Sequence, residues 1–453
     1  MNTRFMARPI LYSLGLVLLL GSWAPAQRDA SPRAAKPEDL SETERSLVAF
    51  VEAHNDEALA LLERAVNINS GTMNFEGVRE VGRLFREQFD ALGFETRWSD
   101  GAEWERAGQL VAERAGEGPH VLLIGHLDTV FELDSPFQQF EMIDDSTARG
   151  PGIIDMKGGN VIIVQALKAL EAVGALDDLY VTVVLMGDEE KSGRPLSAAR
   201  RDLIEAAKRA DIAIGFENGD SDPRTAVISR RGWTGWTLRT RGRAAHSSQI
   251  FQEDVGAGAI YEASRILHQF YDALSGEENL TFNPGLMAGG TEVDFEPDAD
   301  RVAASGKLNI IAEHAIVSGD LRALSAEQLA RVKGRMEEIV ANGLPHTSAE
   351  IIFEDSYPPL APTDGNRRLL ALYDEISRDL RLGPVDPVNP RNAGAADVSF
   401  TAPYVEMAID GIGLMGSGGH TVEETADLRT LASQTKRAAL LLYRVAQGTL
   451  DDA

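Results

Sequence analysis

Val121-Leu122-Leu123-Ile124-Gly125-His126-Leu127-Asp128-Thr129-Val130 is an apolar run that breaks, with no polar spacer, into a glycine, a histidine and an aspartate. Four bulky aliphatic residues in succession suit a strand buried on both faces, the kind found inside a parallel sheet. Two similar runs lie downstream, Val181-Thr182-Val183-Val184-Leu185 and Ile212-Ala213-Ile214, and the segments 157–173 and 195–208 between them read as helices. Strands alternating with helices at this spacing predict βαβ units. The fold class is therefore α/β, a mostly parallel sheet flanked by helices. In such sheets ligands bind at the carboxyl ends of the strands, which is where His126 falls.

Upstream, residues 41–66 carry apolar positions at three- and four-residue spacing (Leu47, Val51, Leu59, Leu62, Val66), and a second amphipathic helix follows over Val78 to Leu92. Downstream the texture changes near Ser229. Trp233 to Thr240 alternates polar and apolar, the mark of an antiparallel strand with one wet face. A helix at 255–274, strands at 280–288 and 306–322, a helix at 325–342 and a strand at 348–354 complete an α+β sandwich. Tyr357-Pro358-Pro359 marks the return, and helices at 364–380 and 429–448 finish the larger unit. The predicted division is a catalytic domain in two parts, 41–229 and 357–453, interrupted by an inserted lid or dimerisation domain over 230–356.

The chain has 453 residues, enough for two cores, and its 43% hydrophobic and 25% charged content is that of a folded protein. A formal charge of -26 repels phosphate backbones, which argues against nucleic acid as a partner. Cysteine is absent, so thiolate metal sites, disulfides and cysteine nucleophiles are excluded. The first 26 residues read as a signal peptide. Arg4 and Arg8 precede the apolar run Ile10 to Leu20, and Ala24-Pro25-Ala26 offers small residues for cleavage. Residues 27–40 read as a polar linker. The expectation is an exported protein, periplasmic or secreted, with no membrane attachment once the signal is removed.

Five motifs carry chemistry. His126 can ligate a metal, and Asp128 two residues on can accept from its other ring nitrogen. Gly150-Pro151-Gly152-Ile153-Ile154-Asp155-Met156-Lys157-Gly158-Gly159 presents Asp155 at the mouth of a helix, where a carboxylate can bridge two cations or merely cap the helix. Gly187-Asp188-Glu189-Glu190 ends a strand with three adjacent carboxylates, which a cation or a shared proton would reconcile. Consecutive side chains diverge, so Glu190 can bind metal while Glu189 faces substrate as a general base. Gly215-Phe216-Glu217-Asn218-Gly219 repeats the pattern of strand, carboxylate and glycine, and His420 follows the run Gly416-Ser417-Gly418-Gly419. Taken singly, each has a structural counterpart in a solvated turn or a cap. Taken together, two histidines, one bridging aspartate and two glutamates suit two zinc ions about 3.5–4 Å apart, with cobalt or manganese as chemical substitutes.

These motifs, in this order from about Ser41 onward, resemble the di-zinc metallopeptidases that include glutamate carboxypeptidase (carboxypeptidase G), aminoacylases, succinyl-diaminopimelate desuccinylase and several dipeptidases. The glutamate carboxypeptidase branch is nearest. It shares the Gly-Pro-Gly-Ile-x-Asp-x-Lys-Gly-Gly and Asp-Glu-Glu-Lys runs. The resemblance implies that Asp155 bridges, that His126 and Glu217 complete one zinc site and that Glu190 and His420 complete the other. It makes Glu189 the base, Asp128 the orienter of His126, and the Asp155–Met156 peptide cis. Gly242-Arg243-Ala244-Ala245-His246-Ser247 is similar to the family's lid motif, which implies that His246 steadies the oxyanion in the partner subunit's site of a homodimer. Asn309 and Arg322 resemble positions that hold the substrate carboxylate.

Two departures stand out. Ala312 replaces the family's usual proline after Asn309-Ile310-Ile311, and Ser356-Tyr357 stands where glutamate carboxypeptidase carries a basic residue. Asn392-Ala393-Gly394-Ala395-Ala396-Asp397 resembles the family's Gly-rich turn, with small residues where the substrate backbone would pass. The function these residues imply is release of a C-terminal amino acid from small peptides or N-acyl amino acids. Aminoacylase or dipeptidase action is the alternative within the family. A non-catalytic peptide-binding protein is the alternative of another class; loss of Glu189 or of a ligand would support it, and all are present.

Overall fold

The computed structural model describes residues 40–354 and 357–450. The predicted signal segment 1–26, the linker up to residue 39 and Ser356 lie outside the described residues. At the centre is a six-stranded sheet in the spatial order Glu95–Asp100, Gly108–Arg114, Tyr180–Met186, His120–His126, Ile212–Gly215, Met407–Ile409. The last three pairings are parallel and the first two antiparallel. Strand His120–His126 is interior, with Tyr180–Met186 on one side and Ile212–Gly215 on the other, so its aliphatic run is buried on both faces. Helix Gly158–Ala172 leads from it to one neighbour, and helix Arg201–Ala207 leads on to the other. These helices pack into separate apolar clusters, one through Val161 and Leu167, the other through Leu203 and Ala206. The chain thus turns one way and then the other from a single strand, and the crevice at that switch lies at the strands' carboxyl ends.

Strands Glu95–Asp100 and Gly108–Arg114 form an antiparallel edge that the sequence reading does not contain. The outer strand, Glu95-Thr96-Arg97-Trp98-Ser99-Asp100, is half exposed and polar, so it carries no core pattern to read. The smaller unit is a four-stranded antiparallel sheet in the order Thr281–Gly290, His314–Arg322, Thr234–Arg241, Ser348–Phe353. Helices Ala259–Leu274 and Ala326–Ala341 cover one of its faces through Trp236, Leu238, Phe270, Val317 and Met336, all buried. One expected element is corrected here. Residues 306–313 are not strand, and the strand begins at His314. Upstream of that loop, Glu292–Glu296 and Arg301–Ser305 form a separate hairpin around Pro297, whose missing N–H suits a turn and not a central ladder.

Candidate metal centre

Three loops leave the carboxyl ends of strands His120–His126, Tyr180–Met186 and Ile212–Gly215, and each delivers one group. His126 closes the first strand, Glu190 stands four residues past the second, and Glu217 two past the third. Asp155 arrives on the loop that opens helix Gly158–Ala172. Gly152 there takes φ +70°, and a Cβ on it would meet Thr129 Cγ2 at 2.4 Å, so this position cannot carry a side chain. The Asp155–Met156 peptide is cis. A Cβ on Gly159 would meet the Phe216 carbonyl at 2.1 Å, which is how that helix approaches the Glu217 loop so closely.

His420 comes from far downstream. Strand Thr425–Asp427 pairs antiparallel with Thr147–Arg149, which lays the 416–424 loop beside the Asp155 loop. Buried Glu424 then joins the two. Its Oε2 accepts from Gly152 N at 2.9 Å, and its Oε1 accepts from Ile154 N at 2.9 Å and Asp155 N at 3.3 Å. Three backbone N–H groups of the turn thereby find one acceptor. Glu424→Ala is expected to lower unfolding free energy by about 3 kcal/mol, because it strands those donors in a buried turn. Equilibrium denaturation measures this, and a change under about 1 kcal/mol would mean that the turn finds other acceptors.

The five groups meet in pairs around Asp155. Its Oδ1 lies 3.1 Å from His126 Nε2, which is also 3.5 Å from Glu217 Oε1. Its Oδ2 lies 2.9 Å from His420 Nε2, which is also 3.1 Å from Glu190 Oε2. Ligand atoms of His126, Asp155 and Glu190 all fall within 4.8 Å of one another. Donors placed about 2.0–2.2 Å from one ion at tetrahedral angles stand about 3.3–3.6 Å apart, close to these separations. Burial pushes the Glu217 carboxyl well above its ordinary range, with the Asp155 charge adding to it, and burial likewise raises Glu190. A cation between these groups would relieve both effects. Nitrogen and carboxylate donors without sulfur suit zinc, cobalt or manganese, and the residues present can hold one ion on each oxygen of Asp155.

The role read for Asp128 divides in two. His126 Nδ1 is 3.0 Å from the Asp128 main-chain carbonyl and 3.4 Å from its carboxylate Oδ1, so the carbonyl is the nearer acceptor. The carboxylate is claimed elsewhere. It accepts from Thr72 Oγ1 at 2.7 Å, Glu189 N at 3.1 Å and Glu190 N at 3.1 Å. Asp128 therefore orients the ring through its backbone and the Glu189–Glu190 turn through its side chain. Burial, followed by the charge of Asp397, pushes the Glu189 carboxyl well above the usual carboxylate range, with Glu217 and Glu190 contributing and His126 opposing.

Several groups around this centre are not among the site residues that the motifs single out. Glu424 is one. Buried Asp410 accepts from Glu217 N at 3.2 Å and pairs with Arg230 at 2.7 Å. Fully buried Arg200 donates to Asp397 at 2.7 Å and to Asp188 at 2.8 Å. Buried Lys157 donates to the Ile68 carbonyl at 2.9 Å, and burial brings its ammonium down to about 7 against the pull of Glu424 and Asp128. The sequence signal available for the last was its place in the glycine-rich run.

The remaining predicted residues lie on the smaller unit, in two places. His246 and Asn309 are neighbours: His246 bridges to Ile310, and Ser247 N donates to the Asn309 carbonyl at 2.8 Å. Both side chains are exposed, and the His246 ring meets Ser248 Oγ at 2.8 Å. Arg322 ends strand His314–Arg322 at its other end, where Nε donates to Asp320 at 3.0 Å. Among the described residues no hydrogen bond or ion pair joins His246, Asn309 or Arg322 to the five-residue centre.

Comparison with known proteins accords with this geometry. The sequence profile of "Peptidase family M20/M25/M40" matches residues 122–444. Carboxypeptidase G2 of Pseudomonas sp. (strain RS-16) is 28% identical over 419 residues, covering 89% of this chain and 93% of its own. A succinyl-diaminopimelate desuccinylase of Bradyrhizobium sp. (strain BTAi1 / ATCC BAA-1182) is 25% identical over 346 residues, 72% of this chain and 83% of its own. The solved structure of aminopeptidase PepT from Bacillus cereus ATCC 10987 superposes with a TM-score of 0.66 at 18% identity, covering 86% of this chain and 99% of that one, a likeness of fold.

Proposed function

The chain belongs to peptidase family M20/M25/M40 and is a hydrolytic metallopeptidase, and on that premise we propose that it is a two-zinc carboxypeptidase acting on small peptides or N-acyl amino acids. The observation that carries the two-ion reading is Asp155, whose two oxygens face two separate histidine–glutamate pairs. Ions bound there would supply Lewis acidity and a water of lowered pKa. The protein does the rest. Glu189 takes a proton from the attacking water and returns it to the amine that leaves, a task suited to a carboxyl held above its ordinary range. Asp128 fixes the backbone from which Glu189 projects.

Carboxypeptidase action is favoured over aminopeptidase action by the cations where the two units meet. Arg231 Nη1 donates to Thr281 Oγ1 at 2.9 Å, and Thr281 faces Arg322 across the paired strands. Among the described residues, Arg231 Nε is buried without a hydrogen-bond partner. Burial, then the charges of Arg322 and Arg391, lowers its pKa. Three guanidinium groups opposed mainly by Asp320 suit a substrate's terminal carboxylate, and an arginine fork matches its geometry. A free amine would be repelled.

The test is amino acid release from a panel of N-acyl amino acids, dipeptides and amino-blocked dipeptides. Chelator-sensitive turnover restored by zinc, fastest on substrates with a free terminal carboxylate and a blocked amine, is the expected result. Preference for a free amine would reverse the assignment to an aminopeptidase or dipeptidase. Absence of turnover from protein carrying about two metals per chain would favour the binding-protein reading.

A further inference from the structure

Two segments carry the chain between the larger and the smaller unit, and they run side by side. Arg230 and Leu360 exchange hydrogen bonds of 2.9 and 3.0 Å, and Trp233 N donates to the Tyr357 carbonyl at 3.1 Å. Each segment is tied by one side chain to a loop of the metal centre. On the first, Arg230 grips Asp410, which accepts from Glu217 N.

On the second, Tyr357 stands over the loop that carries Glu189. Its hydroxyl lies 2.7 Å from Ser192 Oγ, accepts from Arg200 Nη2 at 2.6 Å and reaches the Glu189 carbonyl at 3.4 Å. Arg200 Nη2 also donates to Ser192 Oγ at 3.0 Å and to the Asp188 carbonyl at 3.2 Å. The two protons of Nη2 are shared among these three acceptors; with Ser192 donating to the phenol oxygen, the phenol proton is left for the Glu189 carbonyl. The guanidinium carbon lies 5.5 and 5.7 Å from the centres of the Tyr357 and Phe400 rings, within cation–π range.

We propose that Tyr357 is a positioning residue for Glu189, and that it couples the placement of this base to the orientation of the smaller unit. The inference rests on Glu189 being the base. Glu189 is held by its N–H to Asp128 and by its carbonyl to Tyr357, so the peptide groups on both sides of its Cα are tethered and the side chain's direction with them. Because Tyr357 belongs to a crossing segment, a tilt of the smaller unit moves its hydroxyl and re-aims the base. Closure over a substrate and alignment of the carboxylate then become one event, and misalignment by a fraction of an ångström costs rate without costing binding.

Tyr357→Phe removes the hydroxyl and leaves the ring. It is expected to lower kcat about tenfold, with KM and metal content within about twofold of the parent. Introduced beside Glu189→Gln, the same substitution should change the residual rate less than about twofold, because its effect passes through the missing carboxylate. Three results would overturn the proposal: kcat within about twofold of the parent, a loss that multiplies in the double variant, or a loss that tracks metal release or a fall in melting temperature. Full turnover by Glu189→Gln alone would remove the base reading and this inference with it. A normal Tyr357→Phe beside an inactive Glu189→Gln would remove only the inference.

Discussion

Glu189→Gln is expected to lower kcat about 10³-fold, the middle of the range for a lost general base, while the protein stays folded and keeps its metal. The amide has the carboxylate's shape and cannot take a proton. It also removes a charge that the surroundings disfavour, since burial and then Asp397 push this carboxyl up, with Glu217 and Glu190 adding to the effect. The sign for stability follows. A carboxyl whose folded-state pKa is raised costs stability once pH is high enough to ionise it, so at neutral pH a neutral amide should leave the metal-free melting temperature unchanged or higher. Loss of turnover with an undiminished melting temperature is the signature of chemistry and not of structure. Near-normal turnover would exclude Glu189 as the base, and loss of metal together with turnover would make it a ligand.

The residues legible in the sequence are those whose neighbours along the chain announce them. His126, Glu190 and Glu217 each follow a run of buried aliphatics, so strand and site are read together, and Asp155 is flagged by glycines whose close approaches require them. Glu424 is invisible by the same logic. It meets the Asp155 turn only because Thr425–Asp427 pairs with Thr147–Arg149, almost three hundred residues upstream, and no local pattern predicts a register between such short strands. Arg200 and Asp410 are charged residues in buried positions, where composition gives no reason to look. The edge strand Glu95–Asp100 fails for the opposite reason, being too polar to read as part of a core.

His246→Ala is expected to lower kcat about 10²–10³-fold while leaving metal content unchanged, if this ring supplies the donor that steadies the oxyanion. The fold places this ring away from the segments that tie the smaller unit to the metal centre. Arg322 sits beside the crossing segments, since Gly232 N donates to the next residue's carbonyl, Ala323, and Tyr357 there reaches the Glu189 loop. His246 and Asn309 lie beyond the opposite end of the same strand, where His314 pairs with Arg241, about 27 Å along nine residues. We propose that a second copy presents this histidine, as the resemblance of residues 242–247 to the lid motif implies. The two inactive variants then provide the decisive mixture. A dimer of one Glu189→Gln chain and one His246→Ala chain holds one site with both groups missing and one with both intact, but only if the histidine acts in trans. Subunit exchange between the two should therefore recover activity, up to about a quarter of the parent rate per chain when half the dimers are mixed. No recovery from a mixture shown to have exchanged would place His246 in cis or outside the chemistry, and a fully active monomer would exclude the shared site altogether.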